Sequence, residues 1–245
     1  MWNRIDLKMR AKAALGRNYW VCVGTAFVLL LLTGGITASV GARGSAQYAD
    51  SFDSLQLEEI NSLSDLWVRS RIFRILVLVI SIVAVLTIVY SIFVGNVIQV
   101  GGCRFFTLNQ TEQVNTKTLF SMFRSGGYSN IVVTMFLMNL YITLWSLLFF
   151  FPGIIKSYEY RMVPYILAEN PSMDRREAFA ISKRMMQGKK WATFVFDLSF
   201  LGWDILSSFT FGLLAFFFVI PYKYAADAEV YTANRAIAFE EGYIH

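Results

Sequence analysis

The chain has 245 residues, of which 56% are hydrophobic, 16% aromatic and only 16% charged, with a net charge of +5. Soluble domains run near 45–50% apolar and about 25% charged, so this composition excludes an ordinary soluble domain and points to the membrane. The positive balance does not indicate nucleic acid, because the basic residues flank apolar runs and no aromatic-and-basic binding module accompanies them.

Residues 1–19 form a basic cytoplasmic segment carrying Arg4, Lys8, Arg10, Lys12 and Arg17 against Asp6 alone. Asn3 can cap a short helix with Asp6 in its first turn, and Gly16 is placed to end it. Tyr19 and Trp20 then stand where an aromatic belt anchors a span, and Tyr19–Val40 reads as an uncleaved first membrane helix rather than a signal sequence. Residues 41–71 are read as an external loop. Within it Leu55, Ile60, Leu63, Leu66 and Trp67 recur at helical spacing among Asp53, Glu58, Glu59 and Asp65, the pattern of an amphipathic helix on the outer surface. Arg69, Arg71 and Arg74 count against placing this loop outside.

A second span covers about Ile75–Val100. Ala84, Ser91, Gly95 and Gly102 make a small-residue stripe along it, which favours close helix packing. Residues 101–130 are a cytoplasmic connection with Arg104, Lys117 and Arg124. In it Leu119, Phe120, Met122 and Phe123 form one apolar arc of a short helix stopped by Gly126-Gly127, and Asn109-Gln110-Thr111 is a glycosylation acceptor on the wrong side to be used. Residues 169–190 form a second cytoplasmic connection: a helix after Asn170-Pro171 with Ser172 at its N-cap, Asp174 and Glu177 near its amino end and Gly188 at its stop. Ala178, Phe179, Ile181, Ser182, Met185 and Met186 share one side of it. The other side carries Arg176, Lys183 and Arg184, and with Lys189 and Lys190 these are candidate contacts for anionic lipid headgroups or a partner, against a plain bracing role.

Because segments 1–19, 101–130 and 172–190 are all basic, placing them all inside requires residues 131–171 to cross and return. The expected architecture is therefore all-α: one integral domain spanning 1–245, a polytopic transmembrane bundle of about six membrane helices with both termini inside and short amphipathic surface helices. Four spans ending at Pro152 and Pro221 are the alternative. A weak internal repeat relates two hairpins, 131–168 and 191–235. Each has a tryptophan (Trp145, Trp203), then Phe-rich sequence, then a proline and a Tyr/Lys/Glu helix.

Charges inside spans are the usual pointers to function. Here they are Lys156, Glu159, Arg161, Asp197, Asp204, Lys223, Asp227 and Glu229. Lys156 and Glu159 lie at i,i+3, Lys223 and Asp227 at i,i+4, and Asp197 and Asp204 seven apart on one face. The two readings are a polar cavity for an ion, proton or small anion, and a satisfied structural network. His245 is the only histidine, which removes His-based triads and HExxH zinc sites. GxSxG, GxxxxGK[ST] and GxGxxG are absent as well. No cofactor or metal is expected, and no enzyme.

The runs LWSLLFFFPGIIKSYEYRMVPYILAENP, EAFAISKRMMQGKKW and LSFLGWDILSSFTFGLLAFFFVIPYKYAADAEVY, with LKMRAKAALGRNYW near the start, resemble the bacterial membrane family known as domain of unknown function 975. A looser similarity is to the membrane portion fused to some glycerophosphodiester phosphodiesterases, without their catalytic domain. The resemblance implies a multi-pass protein of the bacterial cytoplasmic membrane. The expected role is a non-enzymatic accessory, scaffold or envelope-stress protein with the bilayer and an unidentified membrane protein as partners; the alternative is a small transporter or channel component. Cysteine introduced at Ser172 should be labelled only from the cytoplasmic side and at Ser54 only from outside, and a tail at His245 found outside would sink the six-helix arrangement.

Overall fold

Asn3 caps the first helix as its position demands: its side chain accepts the Ile5 N–H, and Asp6 occupies the first turn of α1 (Arg4–Arg17). The computed structural model describes residues 2–33, 63–148 and 150–243, and these residues form helices joined by turns and short irregular segments, without a strand. The surface helix expected within 41–71 lies outside the described residues up to residue 62, as does His245. Gly16 does not end α1, which continues to Arg17 and turns at Asn18. There the chain bends by 100° into α2 (Tyr19–Leu32).

Helix α3 (Leu63–Tyr90) passes through a π turn at Ser91–Gly95 into α4 (Asn96–Leu108). The 36 continuous residues Phe73–Leu108 would extend about 54 Å at 1.5 Å per residue, longer than a hydrocarbon core of about 30 Å. The surroundings change at the π turn. Residues 73–90 are apolar yet exposed all round, whereas Val97, Ile98, Val100, Phe105 and Phe106 of α4 are buried. The small-residue stripe divides at the same place: Ala84 and Ser91 face outward, and only Gly95 and Gly102 are buried, Gly102 against Leu29 of α2. A 3-10 helix (Thr116–Arg124) follows, capped by Asn115. Its threefold repeat buries Leu119 and Met122, packs the half-buried Phe123 against the core and leaves Phe120 outside, so the expected four-residue arc is narrowed to three.

Helix α5 (Tyr128–Leu148) turns back directly into α6 (Phe150–Glu159) and α7 (Val163–Glu169). Two close approaches hold this hairpin. At its tip a Cβ on Gly153 would lie 2.2 Å from the Ser146 hydroxyl, and at its base one on Gly127 would lie 2.3 Å from the Pro171 carbonyl. Asn130 ties the base further by donating to the carbonyls of Pro171 and Met173. Helix α8 (Arg175–Met185) starts two residues later than its Ser172 expectation: Asp174 accepts the Arg176 N–H and is the cap, while Ser172 donates to Asn170. Gly188 adopts a left-handed φ of 73° beyond the helix end, a conformation that favours glycine.

A second hairpin follows. Helices α9 (Lys190–Leu198) and α10 (Leu201–Phe209) run out to a turn at Phe211 and Gly212, and a π turn (Ala215–Val219) leads back into α11 (Ile220–Glu240). Trp203 against Phe218 and Phe200 against Tyr222 set its antiparallel register. Pro221 has no N–H for the Phe217 carbonyl one turn earlier, and that carbonyl instead accepts the Tyr19 hydroxyl at 2.9 Å. Helix α1 lies antiparallel on α11 through Leu7, Ala11, Ala14 and Leu15, with Trp2 donating to Asn234.

By length and composition, three helices among the described residues can cross a membrane: Phe73–Leu108, Tyr128–Leu148 and Lys190–Phe209, with the bent α1–α2 pair a fourth. The returning limb 150–169 is interrupted at residues 160–162 and is too short in either piece. Because the Gly153 Cβ position is occupied by Ser146, Gly153→Ala should destabilise the folded protein by about 1–3 kcal/mol, the range for an overpacked contact. Gly24→Ala, with open space around it, should be neutral or stabilising by up to about 1 kcal/mol. Thermal unfolding in detergent checks both.

Candidate functional site

The break between α6 and α7 is what aims the central charge. Tyr160–Met162 leave the helix there, and Arg161 is carried between the two limbs of the second hairpin. Its Nη1 bonds Asp197 Oδ2 at 2.5 Å and its Nη2 bonds Asp197 Oδ1 at 2.9 Å, a bidentate pair with α9. Nη2 also reaches Asp227 Oδ1 of α11 at 2.6 Å. A planar guanidinium suits this arrangement, because its fork presents several donors in fixed directions. Tyr158 adds a hydroxyl donated to Asp197 at 2.8 Å.

A second group is built on Glu159, two residues away and buried. Its carboxylate accepts Lys156 Nζ at 2.5 Å and Lys190 Nζ at 2.7 Å. Lys156 lies 5.7 Å from the Trp145 ring and 5.8 Å from that of Tyr160. Ser182 of α8 donates to the Glu159 carbonyl, so the basic helix is bonded to the same turn. Farther out, Lys223 meets both oxygens of Asp204, at 2.8 and 2.6 Å, in an exposed pair within the second hairpin.

Of the residues singled out in the sequence, Lys156, Glu159, Arg161, Asp197 and Asp227 therefore come together, and Asp204 pairs with Lys223 beside them. Two expectations about pairing are corrected. Lys223 does not pair with Asp227 one turn along its own helix, because Arg161 holds Asp227 from across the interface. Asp197 and Asp204 do not form one acidic face, because the chain leaves the helix at Ser199–Phe200 between them. Glu229 stands apart: it is buried toward α1, where the Arg10 charge acts on it.

The basic residues separate by role. Lys190 is bound into the network, whereas Arg176, Lys183 and Arg184 are exposed, Arg184 lying 4.3 Å from the Tyr243 ring. Burial holds Lys189 below the ordinary lysine range, with Glu241 acting against the shift. Burial also pushes the Tyr243 hydroxyl up, reinforced by Glu241. Sequence reasoning missed Tyr158 and the group in which Glu169 accepts from Arg235 and from Tyr231. Their partners lie 39 to 66 positions along the chain, and no local pattern signals them. Among the described residues no group of His, Cys, Asp and Glu could hold a metal ion.

Residues 150–237 match the family model described as Protein of unknown function (DUF975), the family that the sequence resembles. The matched segment contains all of the Arg161 and Glu159 groups. No curated protein and no solved structure matches the chain.

Arg161→Gln leaves two carboxylates without their shared partner and should destabilise the fold by at least about 2 kcal/mol. Lys223→Gln, which breaks an exposed pair, should cost under about 1 kcal/mol. A double-mutant cycle of Arg161→Gln with Asp197→Asn, followed by denaturation in detergent, should show positive coupling, and additive effects would dissolve the proposed clasp.

Proposed function

We propose that this chain is a multi-pass protein of a bacterial cytoplasmic membrane, with about six membrane helices, the limb 150–169 returning as a broken helix, and both termini inside. It acts as a non-enzymatic accessory or scaffold, or in envelope stress, through its cytoplasmic helices. The observation that carries this reading is charge compensation: Glu159, Asp197, Asp204 and Asp227 each lie within ion-pair distance of a base. Acids satisfied in this way tie hairpins together and leave no base poised for proton transfer.

The exposed row Arg176, Lys183 and Arg184 supports the second half of the reading. The other face of α8 is packed through Ala178, Ile181, Ser182 and Met185, so the helix is oriented with its basic side exposed. Each such charge near an anionic surface contributes about 1 kcal/mol. A small transporter or channel component is the second reading, favoured by a partly open space beside Arg161 and Asp227.

The two readings rank substitutions in opposite order. In nanodiscs containing phosphatidylglycerol, Arg176→Glu with Lys183→Glu and Arg184→Glu should strip retained anionic lipid several-fold, as counted by native mass spectrometry. Asp197→Asn and Asp204→Asn should leave that count unchanged. Retention unaffected by the charge reversals, together with solute flux in proteoliposomes abolished by the Asp→Asn changes, would replace the scaffold with the transporter.

A further inference from the structure

The acid–base groups described above are compensated as a whole but not locally. Lys156, Glu159 and Lys190 leave one positive charge, and this group borders an outer cleft with Lys183, Gln187 and Trp191. Arg161 with Asp197 and Asp227 leaves one negative charge, and Arg161 and Asp227 border a different, partly open space between α2, α4, α7 and α11. That space measures about 280 Å³, room for roughly nine waters at about 30 Å³ each.

We propose that this cavity binds a small organic cation of the alkylammonium class. Its polar wall is the Asp227 carboxylate. One oxygen, Oδ1, is held by Arg161, and Oδ2 has no hydrogen bond to the described residues, while the side chain retains 30% exposure where it lines the cavity. Three rings also line it, Phe106 and Tyr224, stacked with centroids 5.3 Å apart, and Tyr165, beside the apolar Leu29 and Pro164 and the Arg161 guanidinium. A net negative charge beside ring-lined walls is the environment that attracts a weakly hydrated ammonium group. An anion would face the unbonded Asp227 carboxylate oxygen and a triad whose net charge is already negative. A hard metal ion would need about six or more oxygen ligands, and the cavity offers one carboxylate, Asp227, beside the Arg161 cation and scattered neutral groups. Thr33 and Gln99 are the exposed residues of the lining and mark the mouth. Binding here does not require transport, so the inference stands apart from both readings of the function.

The test uses the full chain in nanodiscs made of phosphatidylglycerol alone, which removes amine headgroups as a competing source, and tetramethylammonium chloride as the probe. Thermal unfolding should show a saturable rise in melting temperature that sodium chloride at equal ionic strength does not reproduce. Asp227→Asn should raise the half-saturating concentration at least tenfold, while Asp204→Asn, outside the cavity, should leave it within twofold. Cys103 lines the same cavity, so in the wild-type protein tetramethylammonium should also slow its alkylation by N-ethylmaleimide at least threefold, followed by mass spectrometry. This measurement decides the matter if Asp227→Asn does not fold. An equal response to sodium chloride, unchanged affinity in a folded Asp227→Asn protein, or unprotected Cys103 overturns the proposal.

Discussion

One guanidinium holds the two hairpins in register. Arg161 grows from the first hairpin and meets an acid on each limb of the second, Asp197 on the way out and Asp227 on the way back. A single pair could pivot, but a forked cation bound at two points on different helices resists both sliding and rotation. Around it the Glu159 group repeats the device at shorter range, joining the end of α6 to the start of α9 through Lys190. Partly buried charges are costly when unpaired, so the hairpins dock well in one relation and poorly in others.

The placement of that guanidinium depends on backbone features that carry no charge. The turn at Tyr160–Met162 takes Arg161 out of the helix and toward its acids. Gly153 and Gly127 let the limbs of the first hairpin approach at both ends, which sets how deep the turn lies. At the opposite side Asn109, itself buried, donates to Ala14 and accepts from Asn18, locking the bend between α1 and α2 against α4. Asn109 is thus a structural residue, and its side chain is closed to glycosylation whatever side of a membrane it faces.

The charges also sort into an inner and an outer set. The inner acids are spoken for by Arg161, the outer lysines and arginines of α8 face solvent, and Lys190 sits at the border between them. A brace and an electrostatic surface can therefore occupy one short stretch without competing, because helix α8 buries one side and displays the other.

The sequence alone determined the helical class, the apolar run of about Ile75–Val100, the Asn3 cap, the two-faced character of α8 and the residue types in the charged network. These are local properties: composition, periodicity and capping act over a turn or two and are written along the chain. Tertiary structure alone decided who pairs with whom. Lys223 turned to Asp204 and Asp227 to Arg161 because packing brought those groups closer than the i,i+4 neighbour on the same helix. The helix interruptions at 160–162 and 199–200 likewise emerged only where two hairpins meet, since leaving a helix costs hydrogen bonds that only cross-hairpin charge pairs and packing offset.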